Sequence, residues 1–65
     1  MNNPSVYVLT PLTDDCKQWI ADNVVYESWQ LIGEGIAIEW RYIDELIALL
    51  TESEYILGVD FTVRS

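Results

Sequence analysis

Between Gly33 and Leu50 the apolar residues change period with no loop between the two patterns, and this constrains the fold more than any other feature of the chain. Ile36, Ile38 and Trp40 alternate with Ala37 and Glu39, the two-residue period of a half-buried strand. Tyr42, Ile43, Leu46, Ile47, Leu49 and Leu50 then recur at helical spacing, which leaves Asp44, Glu45, Ala48, Thr51 and Glu52 on the other side. Such a stretch turns an apolar layer inward and carboxylates outward. Arg41 and Glu45 stand four apart on this helix, a spacing that allows an ion pair.

The preceding segments read as a strand, a helix and a second strand. Residues 1–4 are expected to be a loose lead-in. Ser5–Thr10 is a first strand, with Val6 and Val8 on one face and Tyr7 and Leu9 on the other. Pro11 is expected to end it, because proline has no amide to donate and restricts the residue before it. Thr13 is suited to cap a helix, with Asp14 and Asp15 at the positive end of the helix dipole. Cys16, Trp19, Ile20 and Val24 form its apolar stripe, Asp14, Asp15, Gln18 and Asp22 face away, and Asn23 is a helix stop. Trp29 and Leu31 alternate with Ser28 and Gln30, which places a strand in Val25–Ile32. Gly33-Glu34-Gly35 then separates two apolar runs as a hairpin turn does.

Thr51–Glu54 is a polar connection. Leu57, Val59, Phe61 and Val63 alternate with Gly58, Asp60, Thr62 and Arg64, so a final strand with one buried face is expected there. The order is β-α-β-β-α-β. It implies a single α+β domain over residues 1–65, a small four-stranded, mainly antiparallel sheet with two helices on one face. That is the split βαβ, or ferredoxin-like, arrangement or a truncated variant of it. At 65 residues the core is small, but a hydrophobic content of 51% is enough to build one and argues against disorder.

Charge narrows the function. Eleven acidic residues stand against three basic ones, with no histidine, for a net charge of -8. Such a chain repels nucleic acid and anionic membranes and attracts basic surfaces, including channels that hold nucleic acid. The plainer reading is that the charge serves solubility.

Catalytic and metal chemistry find little support. Cys16 is the single cysteine, so no internal disulfide forms, and without histidine a zinc site lacks ligands. Cys16 also lies on an apolar stripe with no base to activate it. Asp14 and Asp15 are explained by the helix dipole, and no calcium-loop pattern surrounds them. Gly33-Glu34-Gly35 lacks the lysine and the glycine spacing of a phosphate loop. No enzyme activity, metal or cofactor is expected. The first ten residues lack a signal-peptide pattern and no apolar run reaches membrane-spanning length, so a cytoplasmic protein is expected.

Three tryptophans (Trp19, Trp29 and Trp40) and four tyrosines (Tyr7, Tyr26, Tyr42 and Tyr55) are many large rings for this length. Most belong in the core. Tyr26 and Trp29, flanking Glu27, are the candidates for an exposed binding surface. The candidate partner-binding set is acidic: Asp14, Asp15, Asp22, Glu27, Glu34, Asp44, Glu45 and Glu52. Neighbours on a helix face lie about 5–6 Å apart at Cβ, comparable to the spacing of charge along a nucleic-acid strand. A surface of this kind suits a groove built for phosphates.

The segment LTPLTDDCKQWIADNV, a later tryptophan, a glycine turn and IEWRYIDELI together resemble a group of short phage-encoded proteins. The likeness rests on Leu9, Thr10, Pro11, Thr13, Asp14, Trp19, Glu39, Arg41 and Tyr42 and covers most of the chain. Its size and acidity also resemble anti-CRISPR proteins, in particular small inhibitors of type I systems. That resemblance implies an acidic DNA mimic, a monomer in the bacterial host cytoplasm, acting by stoichiometric occlusion. Its partner would be the basic DNA-binding cleft of the large subunit of a type I CRISPR effector complex, with no nucleic acid or membrane bound. Anti-CRISPR proteins share no motif, so no site residue is carried over. Other acidic interaction proteins share the same physics: antirestriction proteins, toxin-neutralising proteins and modulators of host transcription factors. A phage assembly protein is a third class.

Overall fold

A computed structural model describes residues 6–65. The lead-in and Ser5, at the expected start of the first strand, lie outside the described residues. The elements are β1 (Val6–Pro11), α1 (Asp14–Asn23), a 3-10 turn (Ser28–Gln30), β2 (Leu31–Ile32), β3 (Gly35–Glu39), α2 (Trp40–Glu52) and β4 (Phe61–Arg64). The sheet order is β2-β3-β1-β4 with every neighbouring pair antiparallel. β3 lies between β1 and β2, and β1 lies between β3 and β4. Each strand–helix–strand unit is thus split by a strand of the other, which is the expected split βαβ plan.

Register builds the core. Leu9 stands opposite Ile36 on one side and Val63 on the other, Tyr7 opposite Ile38, and Pro11 opposite Phe61. Alternation puts all of these side chains on one face. Cys16 and Ile20 from α1, with Ile43, Leu46 and Leu50 from α2, close over that face. Leu9, Cys16, Leu50 and Phe61 are wholly buried. Both described helices turn their buried residues to this core, and the opposite face of the sheet carries Val6, Val8, Thr10, Gly35, Ala37, Thr62 and Arg64. There Gly35 is crowded: a Cβ on it would lie 2.5 Å from Val8 Cγ1 and 2.6 Å from Thr10 Oγ1.

Local chemistry holds the expected α1 and the hairpin. Thr13, in extended conformation, accepts from the Cys16 amide at 3.2 Å through its hydroxyl. Asn23 ends α1, its amide donating to the Trp19 carbonyl at 2.8 Å. The hairpin loop is Gly33-Glu34, with Ile32 opposite Gly35. Gly33 has φ +61 and Glu34 does not enter the positive region, the pattern of a loop that needs glycine first.

Six expectations are corrected. First, β1 runs through Pro11 instead of stopping before it. The Leu12 amide donates to the Asp60 carbonyl at 2.7 Å, so Pro11 falls between bonded pairs of the β1–β4 ladder and its missing amide vacates no bond there. Second, the strand expected in Val25–Ile32 shrinks to Leu31–Ile32, behind the 3-10 turn. Gln30 is the cause. Its Oε1 accepts from the Glu27 amide at 2.8 Å and its Nε2 donates to the Ala37 carbonyl at 2.9 Å, so a side chain takes the place of ladder bonds at the β3 edge.

Third, Trp40 begins α2 instead of ending β3, and it is exposed. Tyr42 and Leu49 are also exposed; Ile43, Leu46 and Leu50 are the buried residues of α2. Fourth, Arg41 pairs back to Glu39, Nε to Oε1 at 3.3 Å, and not forward to Glu45. Fifth, the final strand holds only Phe61–Arg64; Leu57, in an isolated bridge to Phe61, and Val59, in the turn that follows, are exposed. Gly58 has φ +91, and the Asp60 carboxylate accepts from the Ile56 amide at 2.8 Å, closing the chain on itself before the sheet begins. Sixth, the polar connection starts later than expected, because Thr51 and Glu52 belong to α2.

Candidate functional site

Every acidic residue is exposed except Asp60, which is half-buried. Asp60 has a structural role: besides Ile56, its carboxylate accepts from the Thr13 hydroxyl at 3.5 Å. Among the described residues the sole ion pair is Arg41–Glu39. Among the described residues the other exposed carboxylates pair with no cation.

The acids of the candidate set do not form one continuous ladder. Asp14 and Asp15 sit in the first turn of α1, and Asp22 lies about 10 Å further along the axis at 1.5 Å per residue. Asp22 also accepts from Gln18 Nε2 at 3.0 Å. Asp44 and Glu45 are neighbours early in α2, and Glu52 ends that helix about 10–12 Å away. Glu27 precedes the 3-10 turn. Glu34, in the hairpin loop, lines a cleft of about 270 Å³ with Lys17 and Tyr26. The charges thus come as separated groups on two helices and two loops.

What the fold does bring together is a groove of about 520 Å³ between the end of α1, the 3-10 turn and α2. Val25, Trp29, Tyr42 and Leu49 give it apolar walls, and Glu39 and Glu45 are its ionisable lining residues. No basic side chain lines it. Val25 is 97% and Trp29 73% exposed, so these are large apolar side chains held out to solvent. The two bonds of Gln30 fix the turn that carries Trp29. Of the eight candidate acids, only Glu45 is in this groove.

Exposure of Tyr26 and Trp29 agrees with the sequence reading, while Glu39, Tyr42 and Leu49 as groove residues were missed. Tyr42 and Leu49 share the helical period with the core positions, and only the crossing of α2 over the sheet separates the two sets. Trp19 and Tyr55 are structural. Their rings meet edge to face at 6.2 Å between centroids, and the Tyr55 hydroxyl donates to the Asp15 carbonyl at 3.2 Å. Burial, and secondarily the charge of Asp60, push the Cys16 thiol above its ordinary value, so it is not poised as a thiolate nucleophile.

Among the described residues no three histidine, cysteine or carboxylate side chains gather as a metal site would require. No described helix is long and apolar enough to cross a membrane. Comparison of the chain with protein-family models, curated proteins and solved structures finds no match.

Proposed function

We propose that this chain is a non-catalytic binding protein that occupies a basic, nucleic-acid-binding cleft of a partner protein. One observation carries the reading: nearly every carboxylate of a chain with net charge -8 is exposed, and among the described residues a single ion pair neutralises any of them. A surface with that excess of one sign steers association with the opposite sign and is weakened by salt. The grouping of the charges favours discrete contacts with lysine and arginine side chains over imitation of a regular phosphate ladder. The resemblance to acidic anti-CRISPR proteins makes the DNA-binding cleft of a type I effector complex the first partner to test. Inhibition there is stoichiometric, needs no cofactor, and is exerted by a monomer in the bacterial host cytoplasm.

The test is recovery of partners by tagged protein from a bacterial lysate that carries a type I CRISPR system, at low and at high salt. Effector subunits recovered at low salt, lost at high salt and displaced by target duplex DNA are the expected result. The double variant Asp44→Lys/Glu45→Lys keeps the fold, since both side chains are exposed, and loses the partner. Inhibition that survives reversal of Asp14, Asp15, Asp22, Glu27, Glu34, Asp44, Glu45 and Glu52 refutes the reading. Recovery of another nucleic-acid-binding protein, such as a restriction enzyme or a transcription factor, keeps the occupation of a basic cleft and changes the target.

A further inference from the structure

We infer that the groove between α1 and α2 is an arginine-binding anchor, which takes a guanidinium side chain from a basic segment of the partner protein. The inference rests on the reading of the chain as an acidic binding protein and says where on it the contact is anchored.

Three features of the groove select the occupant. Its walls are aromatic and aliphatic, from Trp29, Tyr42, Val25 and Leu49, and they are exposed in the free chain. Its ionisable lining is entirely acidic, Glu39 and Glu45, with no base among the lining residues. Its volume of about 520 Å³ is within the range of clefts that enclose a ligand. An apolar occupant would leave Glu45 unmatched, since Arg41 already holds Glu39, and an acidic one would be repelled. A lysine matches the charge but presents a compact, strongly hydrated ammonium. Arginine meets all three features, since its planar guanidinium stacks on aromatic faces, forks onto carboxylates and is more weakly hydrated, while its methylene stem covers apolar surface.

The chain itself shows that this neighbourhood accepts the group. The Arg41 guanidinium carbon lies 5.8 Å from the centroid of the Tyr42 ring, while its Nε reaches Glu39 at 3.3 Å. One aromatic ring and one carboxylate thus already hold a guanidinium at the groove margin. Trp29 and Glu45 offer the same pair of chemistries, and among the described residues no cation pairs with Glu45. The Gln30 bonds keep the turn bearing Trp29 ordered before any partner arrives, which limits the entropy lost on binding.

The experiment titrates ¹⁵N-labelled protein with hexa-arginine and with hexa-lysine at equal ionic strength, following the tryptophan indole N–H signals by NMR. The Trp29 signal is assigned by its loss in Trp29→Phe. Expected is about three- to tenfold tighter binding of hexa-arginine, with the largest shift at the Trp29 indole. That preference is lost in Trp29→Ala and reduced in Glu45→Gln. Both side chains are exposed, so the fold persists, as the unchanged amide spectrum of the core will report. Equal binding of the two peptides, with shifts spread over the acidic helix faces, overturns the anchor and leaves the acidic reading standing. Binding of neither peptide overturns both.

Discussion

Replacing Gly35 with alanine tests whether β3 and β1 pack on the open face as closely as described. The backbone of Gly35 is outside the left-handed region, so alanine is conformationally allowed and the effect is one of space. The new Cβ would meet Val8 Cγ1 at 2.5 Å, Thr10 Oγ1 at 2.6 Å and the Leu9 carbonyl oxygen at 3.2 Å. Carbon atoms pack best at about 3.5–4.0 Å, so the Val8 methyl must retreat by about 1 Å or more. Val8 and Thr10 can move by rotation, whereas the Leu9 carbonyl belongs to the ladder that pairs Leu9 with Ile36. Overpacking of this degree costs about 1–3 kcal/mol, and the lower entropy of the unfolded alanine chain returns about 0.4–1. The expected net loss is about 1–2 kcal/mol, or roughly 4–16 °C in Tm for a domain this small. Urea unfolding and a thermal melt both read it. Val8→Ala in the Gly35→Ala background removes the nearest atom, so the double variant is less destabilised than the sum of the singles. A Gly35→Ala protein as stable as the parent, or a double variant with purely additive losses, refutes the close packing.

Other outcomes follow from the same structure. Thr13→Ala removes the hydroxyl that caps α1 and contacts Asp60, and is expected to lower stability by about 1 kcal/mol in urea unfolding. Stability should also fall in alkali. Burial first, and then nearby negative charge, raise both Cys16 and Tyr55, so the folded chain keeps protons that the unfolded chain has released. Their contribution is complete below the ordinary thiol value of about 8.5 and is lost as pH rises through the raised folded values, and Tm between pH 7 and 11 will follow it down. Cys16→Ala removes the thiol's share of that decline, leaving the share due to Tyr55.

The parts legible from the residues were those fixed by short-range chemistry. The Thr13 cap, the apolar stripe of α1 and the turn expected at Gly33-Glu34-Gly35 each depend on residues within a few positions of one another, and they formed where expected, except that Gly35 already belongs to β3. The misread parts depended on distant partners. The alternation from Leu57 to Val63 is real, yet the Asp60 carboxylate and amide both bond back to Ile56, so only the Asp60 carbonyl, on the Leu12 amide, and the residues beyond it reach the β1 edge. Trp40 fits both the strand period and the first turn of a helix, and the residue pattern alone does not divide the two. Gln30 looks like an outward strand residue until the Ala37 carbonyl is brought beside it. For the site, exposure of Trp29 and of the acids was legible from composition and position. The groove that joins Trp29 to Glu45 was not, because it exists only once α2 has crossed over the sheet.

The pairing of β1 with β4 joins residues 50 to 56 positions apart, Val8 opposite Arg64 and Pro11 opposite Phe61. Phe61 is wholly buried, and it comes from the last element in chain order. On a ribosome, β1 therefore emerges long before its partner and waits with an unsatisfied flank while everything between is made. The helices and the Gly33-Glu34 hairpin can form early, but closure of the sheet comes last and sets the pace, as expected where contacts span great sequence separation. A nascent chain stalled before Phe61 is a collection of local structures, with a core that still lacks one of its largest side chains.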